Sequence, residues 1–524
     1  MGMSAIWEFS KMNGAESLVR TLLASGVDTC FANPGTSEMH FVAALDQIPG
    51  MHCVLGLQEN VVTGMADGYF RMAGKPACTL LHCGPGLSNG LGNLHNARRA
   101  KSGIVNIVGD QATYHRPFDA PLTADTEALA RTVSGWVRTS LSSANVGRDA
   151  AVAVQAAHVG GGSISTLILP SDASWDEGGE VAEPLPKAGF SPMDPHAVEV
   201  AAHVLRDNKD VLLLLAGGAV LAPAQALVDR IARATGASVM GDFVNARLER
   251  GQGRMRLERV PYNTDEAVNA LARFRHIILV NARAPVGFFA YPGKPSRQYS
   301  PEAQIHVLTR PEQDPMAALE ALAAAVGAAK ATGFVSGRRP ERVTGKPSPE
   351  GLALTLAAVM PEHAIISDES VSYGRGFYQH TFNAPPHDWL HLAGGAIGDG
   401  LPVATGAAIG ADGERRVISL QADGSAMYSL QSLWTQARER LPCTTIILSN
   451  RKYNILIGEY KGVGAVPGPV AMDMLDLSNP DIDWVKLANG MGVEAAPAAS
   501  LEQCADLMRQ SFKQKAPFLI ELAI

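Results

Sequence analysis

The sequence predicts an α/β protein made of three doubly wound, parallel-sheet domains. Short apolar runs of strand length alternate with segments of helical periodicity, and this alternation is typical of parallel sheets with crossover helices. Two stretches with little apolar periodicity divide the chain into three blocks. The length of 524 residues is consistent with three domains, since a domain usually holds roughly 100–200 residues.

The first block spans residues 13–176. It begins with helical periodicity over Ala15–Ser25, and the turn at Asn33–Gly35 predicts the start of another helix. Between the helices, the apolar runs of strand length are Thr29–Ala32, Cys78–Leu81 and Ile104–Val108. The stretch Glu177–Pro192 is rich in Glu, Gly and Pro, and we interpret it as a linker.

The second block spans residues 194–330 and the third spans residues 351–524. Ala331–Glu350 has almost no apolar periodicity and predicts a second linker. Helices are predicted at Pro223–Thr235 and Leu430–Arg440. The predicted strands are Val211–Leu215, Ile277–Val280, Ala364–Ser367, Val417–Gln421, Thr444–Ser449 and Phe518–Leu522.

Composition excludes several classes of protein. Apolar residues make up 46% of the chain and charged residues 18%, with a net charge of −7, so neither disorder nor nucleic-acid binding is expected. The longest apolar stretch, residues 211–224, is too short to cross a membrane. Met1–Lys11 lacks the apolar core of a signal peptide, and the six cysteines show no metal-binding spacing. We therefore expect a cytoplasmic protein.

Two polar residues follow neighbouring predicted strands of the third block. Asp423 comes directly after the strand Val417–Gln421, and Asn450 follows the next strand along the chain. The carboxyl ends of adjacent parallel strands meet at one sheet edge, where an acid and an amide can share a hard cation. By itself, the Asp423 loop is equally well explained as a glycine-containing turn with an N-capping Asp or Ser. Asn450 at the matching strand end favours the metal site.

The run Ala422–Ser425 with Asn450 resembles the thiamine diphosphate fingerprint, which usually begins Gly-Asp-Gly and ends Asn-Asn. Ala422 replaces the first Gly and Ser449 the first Asn. The resemblance implies a Mg²⁺ ion held by Asp423, Asn450 and the backbone carbonyl of Lys452. It also implies that Gly424, Ser425 and Tyr453 contact the cofactor.

The first block is similar to the pyrimidine-binding domain of acetolactate synthase and benzoylformate decarboxylase. The similarity is carried by Leu57–Asn60, Ala66–Tyr69 and Gly74–Pro76. It implies that Glu59 hydrogen-bonds the aminopyrimidine of the cofactor and promotes deprotonation of the thiazolium carbon. The three blocks would then be the pyrimidine-binding, central and diphosphate-binding domains. Taken alone, Glu59 is better explained as a helix N-terminal acid favoured by the helix dipole, and the fingerprint around Asp423 and Asn450 is what favours the catalytic role.

Gly394–Pro402 resembles the family segment that holds the cofactor bent. The resemblance implies that Ile397 supports the bent form and that the Gly395 carbonyl accepts a hydrogen bond from the aminopyrimidine. The alternative is simple packing at a helix start, where Gly and Pro fit in any case. In Asp368–Ser372, which matches a loop that contacts the diphosphate, Ser372 is the side-chain candidate.

The candidate residues for contact with the substrate are Thr36 and His82. Thr36 matches a Ser of benzoylformate decarboxylase that contacts the substrate carboxylate, but it could equally be an N-cap. His82 matches an active-site His that can move protons at neutral pH, although a strand-end His is often only bonded to backbone.

The second active-site His of benzoylformate decarboxylase aligns near Ala290 of this chain. The run Gly84–Gly86 is more typical of acetolactate synthase. The central block lacks segments of a flavin site.

The resemblance implies a decarboxylase of a small 2-oxo acid that uses thiamine diphosphate and Mg²⁺, similar to benzoylformate decarboxylase. The alternative is a carboligase of the acetolactate synthase type. A third hypothesis, a catalytically silent thiamine diphosphate-binding protein, is disfavoured because Glu59, Asp423 and Asn450 occur together. The resemblance also implies a homodimer or homotetramer, with no nucleic-acid or membrane partner.

Overall fold

The computed structural model describes residues 12–331, 333–334 and 336–524. The expected absence of a signal peptide in Met1–Lys11 lies outside the described residues. The chain forms two compact units. The first unit contains the chain up to Phe70 together with Gly74–Gly189, and the second contains Arg71–Ala73 and Phe190–Ile524.

The first unit is built on a six-stranded sheet in the order β2-β1-β3-β4-β6-β5, with every neighbouring pair parallel. β3 and β4 are buried along their whole length, as expected for central strands covered on both faces. The strands are β1 (Thr29–Ala32), β2 (His52–Leu55), β3 (Ala77–Leu81), β4 (Ile104–Asp110), β5 (Trp136–Thr139) and β6 (Ile164–Pro170).

The helices of this sheet are α1 (Gly14–Ala24), α2 (Met39–Gln47), α3 (Glu59–Ala73), α4 (Cys83–Ala100), α5 (Thr126–Arg131), α6 (Ser143–Ala157) and α7 (Ser171–Trp175). α1 begins where it does because Asn13 and Glu16 form a capping box, each side chain bonding the other's backbone N–H. Leu18 and Leu22 of α1 are fully buried in the core with Ile107 of β4.

The second unit contains two sheets. Its strands are β7 (Val211–Leu215), β8 (Ser238–Gly241), β9 (Arg247–Arg250), β10 (His276–Val280), β11 (Gln304–Thr309), β12 (Ile365–Glu369), β13 (His387–His391), β14 (Val417–Ala422), β15 (Cys443–Ser449), β16 (Glu494–Ala498) and β17 (Phe518–Ala523). A four-stranded parallel sheet has the order β11-β10-β7-β8, and a seven-stranded sheet has the order β16-β17-β15-β14-β12-β13-β9.

The edge strand β9 departs from the predicted organisation. It lies in the second predicted domain, yet it pairs with β13 of the third, and it is the antiparallel member of that sheet. The sequence Arg-Leu-Glu-Arg gave no apolar signal for a strand. Leu248 and Arg250 nevertheless point inward, and the Arg250 guanidinium stacks 3.7 Å from the centre of the Tyr378 ring.

The helices of the second unit are α8 (Pro195–Asp207), α9 (Ala222–Thr235), α10 (Thr264–Leu271), α11 (Pro315–Ala325), α12 (Pro349–Val359), α13 (Phe377–His380), α14 (Gly400–Gly410), α15 (Asp423–Ala426), α16 (Ser432–Arg438), α17 (Asn454–Gly462), α18 (Pro469–Asp473), α19 (Trp484–Gly490) and α20 (Leu501–Phe512). Among the helices of the described residues, none has both the length and the apolar composition needed to cross a bilayer.

Three largely parallel sheets with crossover helices confirm the predicted fold class. The domain limits 13–176, 194–330 and 351–524 stay a prediction. The last two blocks lie in one compact unit. α12 begins at Pro349, so the second predicted linker extends two residues too far. The predicted helix Leu430–Arg440 is shorter at both ends and covers Ser432–Arg438.

Candidate active site

Asp423 and Asn450 lie at the carboxyl ends of two adjacent strands. β14 and β15 pair in parallel register, with Ala422 opposite Leu448, and α16 lies in the connection between them. The Asp423 carboxylate accepts hydrogen bonds from the backbone N–H of Arg451 at 2.5 Å and of Gly424 at 2.8 Å. The amide oxygen of Asn450 accepts from Lys452 N–H at 3.0 Å. The predicted pairing of the two strand ends is therefore present.

The buried carboxylate of Asp423 fits a site for a divalent cation. Burial raises the pKa of Asp423, while backbone N–H groups of Arg451, Gly424 and Asn450 oppose that shift. A cation next to it would favour the ionised form and offset the cost of desolvation. Carboxylate, amide and carbonyl oxygens are the ligands that Mg²⁺ prefers. The Lys452 carbonyl accepts from Asn454 N–H at 2.9 Å and retains a second lone pair.

The loop after Asp423 differs in detail from the prediction. The helical turn α15 starts at Asp423 itself, whereas the sequence predicted a helix start only after Ser425. The Ser425 hydroxyl donates to the carbonyls of Ala422 (3.0 Å) and Glu369 (3.3 Å), so its side chain holds the loop together. A Cβ on Gly424 would lie 2.5 Å from the Tyr453 ring, so glycine is needed for this close approach.

Ser372 lies beside the first turn of α17. Its hydroxyl accepts from the Asn454 side-chain amide at 3.4 Å, and the residue is half-buried. Asn454 follows Tyr453 directly, so Ser372 stands close to the loop that carries Asn450. Asn454 was missed by the sequence analysis because nothing in its local pattern distinguishes it from a helix N-terminal residue.

Gly395 and Ile397 lie in the segment that leads into α14. Gly395 has a φ of +84°, a conformation that favours glycine, and Ile397 is half-buried. The Glu369 carboxylate fixes the end of this segment by accepting from the N–H groups of Gly398 (2.7 Å) and Gly400 (3.0 Å). Burial raises the pKa of Glu369 to about 7, against the effect of these backbone hydrogen bonds. Glu369 could not be recognised from the sequence, because its donors Gly398 and Gly400 lie far along the chain.

In the first unit, Glu59 and His82 flank Gly86. A Cβ on Gly86 would lie 3.2 Å from Glu59 Oε1 and 3.4 Å from His82 Cβ, so both predicted residues border one small space. Glu59 is the first residue of α3, and its Oε2 accepts from the Asn89 side-chain amide at 3.1 Å. His82 follows β3 and stands immediately before α4. Both residues are half-buried.

His82 is held by an acid that the sequence analysis did not assign. Its Nδ1 lies 3.0 Å from Oε2 of Glu38, whose side chain is 1% exposed. The same carboxylate accepts from Gly35 N–H at 2.8 Å and from the Ser37 hydroxyl. Both of these groups donate to Glu38, and a carboxylate that also accepts from His82 requires the ring hydrogen to be on Nδ1.

Cys83 completes this cluster. It has a φ of +52°, and its Sγ lies 3.1 Å from the Ser37 hydroxyl. Burial raises the pKa of Cys83 to about 11, so the thiol stays protonated at neutral pH. Ligand atoms of Glu38, His82 and Cys83 lie within 4.8 Å of one another, a spacing that a metal ion could bridge. The distance of 3.0 Å between His82 Nδ1 and Glu38 Oε2 is the length of a hydrogen bond.

Thr36 is exposed and starts the helical turn Thr36–Glu38, whose N-cap is Gly35. The alternative interpretation of Thr36 as an N-cap is therefore wrong. The neighbouring hydroxyl, Ser37 Oγ, lies 3.3 Å from His82 Nδ1. Sequence position alone could not show which of two adjacent hydroxyls faces His82, because a one-turn helix directs consecutive side chains to different sides.

Comparison with known proteins identifies the family of this chain. Residues 12–130 match the family model for the N-terminal TPP binding domain of thiamine pyrophosphate enzymes, and residues 372–522 match the model for the C-terminal TPP binding domain. A Mycobacterium tuberculosis protein, provisionally named acetolactate synthase large subunit IlvX, is 47% identical over 98% of this chain and 99% of its own length.

Two further relatives are decarboxylases. Benzoylformate decarboxylase of Pseudomonas aeruginosa is 28% identical over 95% of this chain and 96% of its own. The structure of a thiamine diphosphate-dependent 4-hydroxybenzoylformate decarboxylase from Rhodococcus jostii superimposes with a TM-score of 0.85 and 25% identity, covering 97% of this chain and 98% of that one. The chain belongs to the thiamine pyrophosphate enzyme family, related to both acetolactate synthases and benzoylformate decarboxylases.

Proposed function

We propose that the protein decarboxylates a small 2-oxo acid with thiamine diphosphate and Mg²⁺. The observation that carries the proposal is the convergence of Asp423 and Asn450 at the ends of β14 and β15. In an open parallel sheet this edge is where ligands bind. Family membership supplies the cofactor class, and the oxygen-rich strand ends support a hard cation.

The second unit would hold the diphosphate and its metal. In this proposal Asp423, Asn450 and the Lys452 carbonyl bind Mg²⁺. The diphosphate-binding residues would be Ser372, Gly424, Ser425 and Tyr453. The Gly395 carbonyl would accept from the aminopyrimidine, and the Ile397 side chain would keep the cofactor bent. Bound thiamine diphosphate supplies a carbon nucleophile and an electron sink for breaking the bond between carbonyl and carboxylate.

The first unit would supply proton transfer. Glu59 would exchange a proton with the aminopyrimidine, and its bond from Asn89 keeps the carboxylate oriented. Because Nδ1 of His82 is bonded to Glu38, Nε2 is the atom left to give or take a proton near the substrate. Thr36, which is exposed, would contact the substrate carboxylate.

A second candidate is a carboligase of the acetolactate synthase type. The 47% identical relative carries that name, and Gly84–Gly86 is more typical of that class. Product stoichiometry separates the two reactions. A decarboxylase converts one 2-oxo acid into one aldehyde and one carbon dioxide, whereas a carboligase converts two 2-oxo acids into one 2-hydroxy-3-oxo acid and one carbon dioxide.

We also propose that two chains share each active site, as a homodimer that can pair into a homotetramer. Closed two-fold symmetry is the commonest plan for such assemblies. A cytoplasmic location is part of the proposal, and the six cysteines, all without a disulfide, support a reducing compartment.

The test is to supply the purified protein with thiamine diphosphate, Mg²⁺ and single 2-oxo acids, including pyruvate and benzoylformate. Carbon dioxide and organic products are then quantified. One aldehyde per carbon dioxide supports the decarboxylase. Half as much carbon dioxide as substrate consumed, with a 2-hydroxy-3-oxo acid, supports the carboligase. No cofactor-dependent consumption of any 2-oxo acid contradicts both.

A further inference from the structure

Aromatic side chains of the second unit stand beside Gly395. A Cβ on Gly395 would lie 2.6 Å from Cζ of Phe288, so the Phe288 ring rests directly on this glycine. Tyr262 packs on Phe288 with ring centres 5.7 Å apart, and Phe243 packs on Tyr262 at 5.3 Å. We refer to Phe243, Tyr262 and Phe288 as the aromatic wall.

Glu459 connects the aromatic wall to α17, the helix that follows the loop with Asn450 and Lys452. Its carboxylate accepts from the Tyr291 hydroxyl at 2.7 Å and from the Tyr262 hydroxyl at 3.3 Å. Burial, with the neighbouring carboxylate, raises the pKa of both tyrosines, so both remain donors at neutral pH. The Tyr291 ring also approaches Gly462 at the end of α17, 3.2 Å from the position of a Cβ.

α17 presents an apolar side chain on the same face as Glu459. Leu456 precedes Glu459 by three residues, a spacing that puts two side chains on one side of a helix. Leu456 is 44% exposed and Phe288 is 45% exposed. Of the two, Phe288 offers its open apolar surface directly beside Gly395. Methyl-sized substituents would leave much of this surface in contact with water.

We propose that Phe288 determines substrate specificity and that the site prefers a 2-oxo acid with a branched or aromatic side chain over pyruvate. This inference rests on the proposed function, because it assumes that the reacting carbon lies near Gly395. Covering an apolar wall with a larger substituent removes more apolar surface from water. The preference should be about tenfold to a hundredfold in kcat/KM, the range that a few methylene groups supply.

The experiment compares benzoylformate, 4-methyl-2-oxopentanoate and pyruvate in the wild type and in Phe288→Ala. Val286→Ala is the matched control, since Val286 lies in the same loop and is 63% exposed. We expect Phe288→Ala to reduce the preference for the larger acids at least tenfold, and the control to preserve it within twofold. Preferences that are unchanged in Phe288→Ala, or equally reduced in both variants, overturn the inference.

A binding measurement separates this inference from the proposed function. Calorimetry with mandelate and lactate, performed on protein loaded with thiamine diphosphate and Mg²⁺, requires no turnover. Tighter binding of mandelate that is lost in Phe288→Ala supports the inference even without decarboxylation. Equal binding of the two acids refutes the inference alone. Failure to bind the cofactor refutes the proposed function and this inference with it.

Glu459 is a positioning residue in this account. Glu459→Ala should raise KM for benzoylformate about tenfold with a smaller effect on kcat, because the wall loses its anchor while the reacting groups stay in place. Glu459→Gln retains an acceptor and should recover part of the loss. Equal losses in both variants, or a loss confined to kcat, would contradict the positioning role.

Discussion

The carboxylate of Asp423 accepts a hydrogen bond from the backbone N–H of Arg451 at 2.5 Å. This contact joins the ends of two neighbouring parallel strands, and it places Asn450 next to the acid. The Asp423 carboxylate also accepts from the backbone N–H of Gly424, so backbone donors from both strand ends converge on this acid. A buried acid satisfied in this way is suited to receive a cation at the same oxygens.

Replacing Glu369 by Gln should change how stability depends on pH. The pKa of Glu369 in the folded protein is raised to about 7 from its usual 4.5, so folding favours the protonated form. Its contribution to stability is therefore fully present below pH 4.5 and is lost as pH rises through about 7, by about 3 kcal/mol in total.

Calorimetric melting of the wild type and of Glu369→Gln from pH 4.5 to 8 checks this sign. We expect the wild-type melting temperature to fall relative to the variant by a few degrees as pH rises. Glu362→Gln, at an exposed position, is the control. A difference that stays constant across this range would show that Glu369 does not titrate there.

Glu59→Gln should retain cofactor binding and lose most turnover. Gln keeps the shape of the side chain and its contact with Asn89 but cannot exchange a proton with the aminopyrimidine. The loss should be on the order of 10²–10⁴ in kcat, or about 3–5 kcal/mol of barrier. Steady-state kinetics and calorimetric binding of thiamine diphosphate measure the two effects, with exposed Glu183→Gln as the control. Near wild-type kcat in Glu59→Gln would refute the assignment.

Glu38→Gln should impair proton transfer through His82 without affecting the cofactor. The change replaces one carboxylate oxygen by an NH2 donor, so the side chain at position 38 can accept from or donate to Nδ1 and no longer fixes the ring hydrogen there. We expect kcat to fall by about tenfold to a hundredfold, part of the general acid–base effect. In the double variant with His82→Ala, the losses should not multiply, because both act through one group. Independent, multiplying losses would separate Glu38 from His82.

Mixing two inactive variants should restore activity. Glu59 lies in the first unit and Asp423 in the second, and we propose that each site takes one unit from each of two chains. A hybrid of Glu59→Gln and Asp423→Ala subunits then contains one site with both residues intact. Up to about a quarter of wild-type activity should return when subunits exchange freely, since half of the dimers are hybrids with one intact site. No recovery, despite exchange shown by mass spectrometry, would place each site within one chain.

The sequence predicted those parts of the site that depend on strand ends. Asp423 and Asn450 could be placed together because each follows a buried apolar strand, and the structure pairs those strands. Glu59 and His82 were placed through resemblance, and both border Gly86.

Parts that depend on contacts between distant segments could not be predicted. The hydrogen bond between His82 and Glu38 joins residues that are 44 positions apart in the chain. The bond that Gly398 N–H donates to Glu369 joins residues that are 29 positions apart. Local periodicity does not show which acid meets which donor across such distances. β9 was missed for a related reason, because Arg250 becomes a core residue only by stacking on Tyr378.

The most direct test of the central claim is calorimetric titration of the protein with thiamine diphosphate, with and without Mg²⁺, in the wild type and in Asp423→Ala. The control is Asp473→Ala, an exposed acid of the same unit. We predict saturable binding by the wild type and the control only when Mg²⁺ is present, and none by Asp423→Ala. Equally tight binding without a divalent ion, or by Asp423→Ala, would contradict the claim that Asp423 and Asn450 hold the metal for this cofactor.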